Sequence, residues 1–312
     1  MTNRGFSARV RNRTTSPLRH RRLRRSGAVR ILFLVPAIAI LGVLSVYPVV
    51  LLIQMSVSRV GISNFLGIWP AVGFKNFTTL FSSVSFQQVG IQTLVFVASV
   101  LAGSMLGGLL VALLLQRSQG FSLVTQTTMI LIWTLPPVIV GSLWKFLLAT
   151  NGFVNSALLF LHVETQPTSF LAQPVTGLWA EAAVTIWIGV PFAALVIKSA
   201  LLDVSQEILD AAKVDGASPL QIIYRIILPS IRPTLLILGV LIVVAAFKAF
   251  DIIYTMTRGG PGTTSATLPF LGYITAFQSY DFGSAAAIGV VTMIIVLALA
   301  IAYIFAVRIE ER

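Results

Sequence analysis

Asp210-Ala211-Ala212-Lys213-Val214-Asp215-Gly216-Ala217-Ser218-Pro219-Leu220-Gln221-Ile222-Ile223-Tyr224-Arg225-Ile226-Ile227-Leu228-Pro229 is a charged, polar segment set between two strongly apolar stretches, residues 175–201 and 233–254. Its local chemistry predicts two short helices and a turn. Ser205 or Asp203 can cap the first helix, the Ala211-Ala212 pair favours it, and Gly216 falls where a left-handed residue would end it. Ser218-Pro219-Leu220-Gln221 then has the form of a capping box, with Ser218 as N-cap, Pro219 at the first helical position and Gln221 three residues after the cap. The second helix is expected to run until Pro229, with Leu220, Ile223, Tyr224 and Ile227 on one face. Helix, glycine elbow, helix makes a compact knob with small residues on one arm and an apolar stripe on the other. Such a knob suits docking into a groove.

What carries the knob follows from composition. Of 312 residues, 56% are hydrophobic and only 10% charged, where a soluble domain has roughly a quarter charged. An all-α integral membrane protein is therefore expected. A hydrocarbon core of about 30 Å takes about 20 helical residues to cross. Six stretches are long enough: residues 31–55, 90–116, 121–147, 175–201, 233–254 and 284–307. The first exceeds a signal-peptide core and lacks a small-x-small cleavage site, so it reads as a retained span. Pro136-Pro137 should kink the third span, either opening a cavity or fitting the packing. Gly103-x-x-x-Gly107 in the second either admits a close helix neighbour or is ordinary membrane-helix glycine. Of the connections, residues 148–174 hold an apolar piece, 153–161, too short to cross and better read as interfacial or re-entrant.

The formal charge of +12 is unevenly spread: residues 1–30 hold ten of the 22 Lys and Arg and no acid. An Arg-rich tail directly before an apolar span is a topology signal that also meets anionic headgroups, and no aromatic or glycine-rich element beside it suggests nucleic-acid binding. With the N-terminus inside, six spans return the C-terminus inside, and seventeen basic residues fall on the cytoplasmic side. Arg59, Lys75, Lys145, Lys248 and Arg258 are left outside or in the membrane. The expected division is a cytoplasmic tail, residues 1–30, and a six-span domain, residues 31–312, whose cytoplasmic loop, residues 202–232, holds the knob.

The spacing Asp210-Ala211-Ala212, Gly216, Ile226, Leu228-Pro229 resembles the EAA-x3-G-x9-I-x-L-P loop of ATP-binding-cassette importer permeases, with Asp in place of the first Glu. Phe250-Asp251, Thr257-Arg258-Gly259-Gly260-Pro261, Ala276-Phe277, Asp281, Gly283 and Ala286-Ala287-Ile288-Gly289 extend the likeness to the carbohydrate-uptake branch, of the maltose-transporter permease type. The resemblance covers roughly residues 31–308. It implies a type I importer permease fold in a bacterial cell membrane and a sugar substrate: a disaccharide, an oligosaccharide or a relative such as glycerol phosphate. It also implies a second permease subunit, two nucleotide-binding ATPase subunits and an extracytoplasmic solute-binding protein or lipoprotein. Asp210, Ala211, Ala212, Gly216, Ile226, Leu228 and Pro229 would then couple the spans to the ATPase, the knob riding in an ATPase cleft. The C-terminal Ala306-Val307-Arg308-Ile309-Glu310-Glu311-Arg312 lacks the glycine-rich ending of the second permease type and points to the first.

Charges at membrane depth are costly and mark bundle interiors or cavities. Glu181, Lys248 and Asp251 are such charges, with Glu181 placed nearer the outer interface. Lys248 and Asp251, at i, i+3, either neutralise each other on one helix face or join Trp187 and Tyr254 along a polar path for sugar hydroxyls. No catalytic chemistry is expected of the chain. It has no cysteine, and Ile197 before Lys198-Ser199 breaks any phosphate-binding G-K-[ST]. No metal or cofactor is expected on it; ATP and magnesium belong on the partner ATPase. A permease for an amino acid or phosphonate is the nearer alternative. A secondary transporter is the more distant one, lacking visible inverted repeats.

Overall fold

The computed structural model describes residues 26–117 and 121–310, and among these the regular secondary structure is helical apart from two isolated β-bridges, Ser58 with Ala71 and Gly61 with Asp281. The Arg-rich tail before Ser26 lies outside the described residues, as do residues 311–312. The chain divides into two units, residues 1–50 and 51–312. Helix α1, Ser26–Ser56, supplies the first and runs into the second. In the first unit Ile38, Leu41, Leu44 and Tyr47 are exposed. A helix apolar on every side needs apolar surroundings.

In the second unit, α2 (Lys75–Ser82) leads into α3 (Val84–Arg117), followed by α4 (Phe121–Trp133), α5 (Pro137–Leu147) and the short α6 (Phe153–Phe160). Then come α7 (Pro174–Leu201), the knob helices α8 (Gln206–Val214), α9 (Pro219–Ile222) and α10 (Leu228–Ser230), and α11 (Arg232–Phe247). The chain closes with α12 (Phe250–Met256), α13 (Leu268–Phe277) and α14 (Phe282–Glu310).

The axis of the unit is the pairing of α3 with α7, and glycines permit it. A Cβ on Gly103 would lie 2.5 Å from Ile186 Cδ1, one on Gly107 2.7 Å from Val190 Cγ2, and one on Gly108 2.5 Å from the Ala193 Cβ. In lipid, where helices gain nothing by hiding apolar surface from water, such close backbone approach is what holds them together. The Gly103-x-x-x-Gly107 spacing is thus a packing face. Leu178, Ala182, Ala193 and Ile197 of α7 bury against Phe96, Val97, Val100 and Ala112 of α3 in the main core cluster, which α11 joins through Leu238, Ile242 and Ala246.

Among the described residues, four helical stretches are long and apolar enough to cross a membrane: Leu34–Ser56, Val84–Leu115, Pro174–Leu201 and Phe282–Ala302. Two further candidates are bent pairs, Leu123–Trp133 with Pro137–Leu147 at 97° and Pro219–Ser230 with Arg232–Phe247 at 75°. The kink expected at Pro136-Pro137 is therefore a full break. The fifth stretch differs from the sequence reading, which ran it unbroken over residues 233–254. Helix α11 stops at Phe247, Lys248 and Ala249 leave helical geometry, and α12 restarts at Phe250. The break turns Phe250 into an aromatic cluster, stacked on Tyr254 at 5.7 Å and edge-on to Tyr273 at 5.1 Å. It leaves Lys248 exposed on the other side.

Candidate coupling knob and membrane cavity

The knob is built as its residues dictate. Ser205 is the N-cap residue of α8, although its side chain makes no capping bond. At the other end the Gly216 N–H donates to Lys213 O at 3.1 Å and the Ala217 N–H to Ala212 O at 2.9 Å. That pair of bonds is a Schellman ending, with Gly216 at φ +79°. The capping box is also present: the Ser218 N–H donates to Gln221 Oε1 at 2.8 Å and the Gln221 N–H to Ser218 Oγ at 3.3 Å. Asp210 is held within its own helix, accepting from Lys213 Nζ at 2.7 Å and Gln206 Nε2 at 3.0 Å. These bonds, that from Lys213 first, hold its carboxyl below the usual carboxylate range.

The second arm departs from the sequence reading in two ways. It does not end at Pro229, because α10 carries it through to Ser230. Nor do Leu220, Ile223, Tyr224 and Ile227 share one environment. Residues Ile223–Ile227 form a π turn, in which the Leu228 N–H reaches back to Ile223 O. The wider turn shifts the register, so Ile227 is buried while Leu220 and Tyr224 are exposed. Pro229 explains the position of the turn: a proline lacks the ladder donor and its ring crowds the carbonyl four residues back, and widening the preceding turn relieves both. Ile226 and Leu228 are half-buried at the root of the arm, and Leu209 and Ile227 fix both arms to the core. Ala211, Gly216 and Pro229 are exposed and Ala212 is half-exposed, with Ile208, Val214, Leu220 and Tyr224 forming bare apolar surface on the same knob. Exposed apolar area on an otherwise charged segment marks a contact surface.

A second feature lies at the break between α11 and α12. A cavity of about 410 Å³ there is lined by Ser104, Trp133, Thr185, Phe192, Lys248 and Asp251, among others. Trp133 stacks on Phe192 at 5.2 Å and 15°, giving the cavity an aromatic wall. Ser104 Oγ is buried without a hydrogen-bond partner. Lys248 and Asp251 are both exposed and form no ion pair with each other, which removes the mutual-neutralisation reading. The interrupted helix is the cause, since i, i+3 neighbours meet only on a continuous helical face. Lys248 and Asp251 are thus brought together with the cavity. Tyr254 is not in its lining; it is exposed one turn beyond Asp251, in the Phe250 aromatic cluster. Trp187 is also outside the lining, packed edge-on against Trp144 at 5.6 Å. Sequence reasoning missed the wall residues Trp133 and Phe192. Trp133 ends α4, and it is the packing of α4 along α7 that brings it to Phe192, 59 positions on in the chain.

A buried polar cluster ties α7 to the turn that follows α12. Glu181 is fully buried and accepts a hydrogen bond from the Thr257 hydroxyl, which lies 2.7 Å from Ser265 Oγ. The Gly259 N–H donates to Thr257 Oγ1 at 3.0 Å, and Ser265 Oγ donates to Gly260 O at 3.1 Å. Glu181 Oε2 has no partner. The sequence reading put Glu181 near the outer interface without seeing this cluster, in which Glu181 and Thr257 stand 76 residues apart in the chain.

Residues 99–311 match the family described as binding-protein-dependent transport system inner membrane component. The chain is 28% identical to the trehalose/maltose transport system permease protein of Thermococcus litoralis over 307 residues, covering 94% of this chain and 97% of that protein. Among solved structures, it resembles a chain of a bacterial transporter involved in importing the acidic polysaccharide alginate, with a TM-score of 0.78, 25% identity, and 91% and 96% of the two chains covered. A second structure of a bacterial alginate transporter, in complex with an alginate pentasaccharide-bound periplasmic protein, matches with a TM-score of 0.73, 26% identity, and 88% and 92% coverage.

Proposed function

This chain belongs to the binding-protein-dependent transport system inner membrane components, and on that premise we propose that it is a permease subunit of an ATP-driven importer of a disaccharide, oligosaccharide or related sugar. It is a multi-pass protein of the bacterial inner membrane and a transport subunit. The observation that carries the fuller reading is the knob: a Schellman-ended helix, a left-handed glycine and a boxed second helix, bearing exposed Val214, Leu220 and Tyr224. In this reading the bent pair Leu123–Trp133 with Pro137–Leu147 makes one span and the stretch from Arg232 onward another, giving six with the four long helices, and both termini and residues 202–232 lie in the cytoplasm.

The knob then seats in a nucleotide-binding ATPase subunit, one of two that bind ATP and magnesium, while a second permease subunit completes the pathway. A solute-binding protein delivers the sugar from outside; the periplasmic protein bound to the alginate transporter supports that partner. ATPase closure moves the knob and the spans rock. Trp133 and Phe192 offer ring faces for a sugar, while Lys248, Asp251 and Ser104 offer donors and acceptors for its hydroxyls. Relatives named for trehalose/maltose and alginate favour a carbohydrate over an amino acid or phosphonate. The test is reconstitution in proteoliposomes with the partner permease, ATPase and binding protein. ATP-dependent accumulation of a labelled sugar is expected, and accumulation without the ATPase would overturn the assignment.

A further inference from the structure

From the cavity-lining Asp251, the exposed residues Asp251, Tyr254 and Arg258 follow at i, i+3, i+7 along α12 and just past its end. Arg258 ends the row in an unusual state. Its backbone is left-handed, at φ +57°, and its guanidinium lies 6.0 Å from the Tyr254 ring centroid. A non-glycine residue held there needs support on both sides. On one side is Thr257, whose hydroxyl donates to Glu181. On the other is Gly259, whose N–H donates back to Thr257 Oγ1 and whose Cα is so closely packed that a Cβ would lie 2.7 Å from Phe270 Cε1. Ser265 closes the turn through Gly260 O. Every polar tie of this turn to α7 passes through one buried carboxylate, and α7 also carries Thr185 and Phe192 of the cavity wall.

We propose that Glu181 is a positioning residue for the outer end of the sugar path: it pins Thr257 and so fixes Arg258 above Tyr254, where the guanidinium is a specificity-determining contact for oxygens of the incoming sugar. A planar donor fork held over an aromatic ring offers hydrogen bonds to hydroxyl or carboxylate oxygens beside a stacking face. This rests on the reading that residues 255–283 lie outside.

The experiment uses the assembled complex in nanodiscs and has two readouts. The first is trypsin cleavage at Arg258–Gly259, mapped by fragment mass, which needs no knowledge of the substrate. Leaving the Thr257 hydroxyl without its buried Glu181 acceptor should raise cleavage about tenfold or more in Glu181→Ala, with Glu181→Gln, which keeps the acceptor, within about twofold of wild type. Thr257→Val repeats the loss from the other partner and leaves α7 intact, so a poorly assembled Glu181→Ala does not end the test. The second readout is the concentration dependence of uptake. Arg258→Ala should raise the apparent KM about tenfold with little change in kcat. Glu181→Ala should do the same and add nothing to Arg258→Ala in the double variant. Wild-type cleavage in both Glu181→Ala and Thr257→Val, or additive effects in the double variant, would overturn the proposal. If the wild type accumulates no sugar while cleavage responds as expected, the transport reading fails and the positioning role of Glu181 stands.

Discussion

Gly216 offers the sharpest test of coupling. Its φ of +79° belongs to the left-handed region, and no atom lies within 4 Å of where a Cβ would stand. Within this chain, then, a side chain at residue 216 meets no clash and the cost is backbone strain alone. For an L-residue held left-handed that is about 1–2 kcal/mol, or roughly a 5- to 30-fold shift against the native elbow. Gly216→Ala carries this strain with little volume. Gly216→Asn carries less strain, because asparagine tolerates the left-handed region, and more volume. Gly216→Asp adds volume and a negative charge. If a partner surface closes over the elbow, loss of coupling should follow volume, with Asp and Asn worse than Ala. If only the angle between the arms matters, Ala should be worse than Asn. The assay is the amount of ATPase subunit that co-purifies with each variant, together with binding-protein-stimulated hydrolysis set against sugar uptake in vesicles. The spans should stay inserted in all three. Wild-type coupling in Gly216→Asp would refute the reasoning and reduce residues 210–229 to an ordinary loop.

Three further outcomes are expected. Single cysteines in this cysteine-free chain at Val214 and Ser279, both exposed, should label from opposite membrane faces with an impermeant reagent, the first from inside; Ser265 is fully buried and cannot report. Asp251→Asn should lower uptake about tenfold or more while the complex assembles, and exchanging Lys248 with Asp251 should not restore it, because the two form no pair; full recovery in transport assays would reinstate the pair. Asp210→Ala should weaken ATPase binding less than Gly216→Asp in the same co-purification, since its ion pair with Lys213 is solvent-exposed. As the folded pKa of Asp210 is depressed, its contribution is complete above the ordinary aspartate value, about 3.9, and is lost as pH falls through the lower folded value. A knob whose stability, followed by amide exchange in residues 206–230, changed between pH 6 and 8 would contradict this.

What the sequence made legible was local or compositional. The Schellman ending at Gly216 and the Ser218/Gln221 box need only neighbours within six residues, and both are as the residue types require. The glycine face of α3 was visible as spacing, but its use depended on Ile186, Val190 and Ala193 being opposite. The helix break at Lys248-Ala249 was not legible: it carries neither proline nor glycine, and the aromatic partners that reward it, Phe270 and Tyr273, lie some twenty residues on. The Glu181 cluster failed for the same reason, being a contact between α7 and a turn 76 residues away. Nor could a 3.6-residue period foresee a π turn that divides its own stripe.

The broken span at Pro136-Pro137 has a mechanical meaning. Its first half, α4, packs on α7, whereas its second half, α5, packs on α12, with Gly141 against Thr255. Neither Pro136 nor Pro137 has an N–H, so the ladder bonds that would stiffen a continuous helix across the junction do not exist to be broken. Trp133 on one half and Pro137 on the other both line the cavity. Rotation about this joint would change the cavity's shape without breaking a ladder bond, so the junction between α4 and α5 is a pivot set beside the cavity.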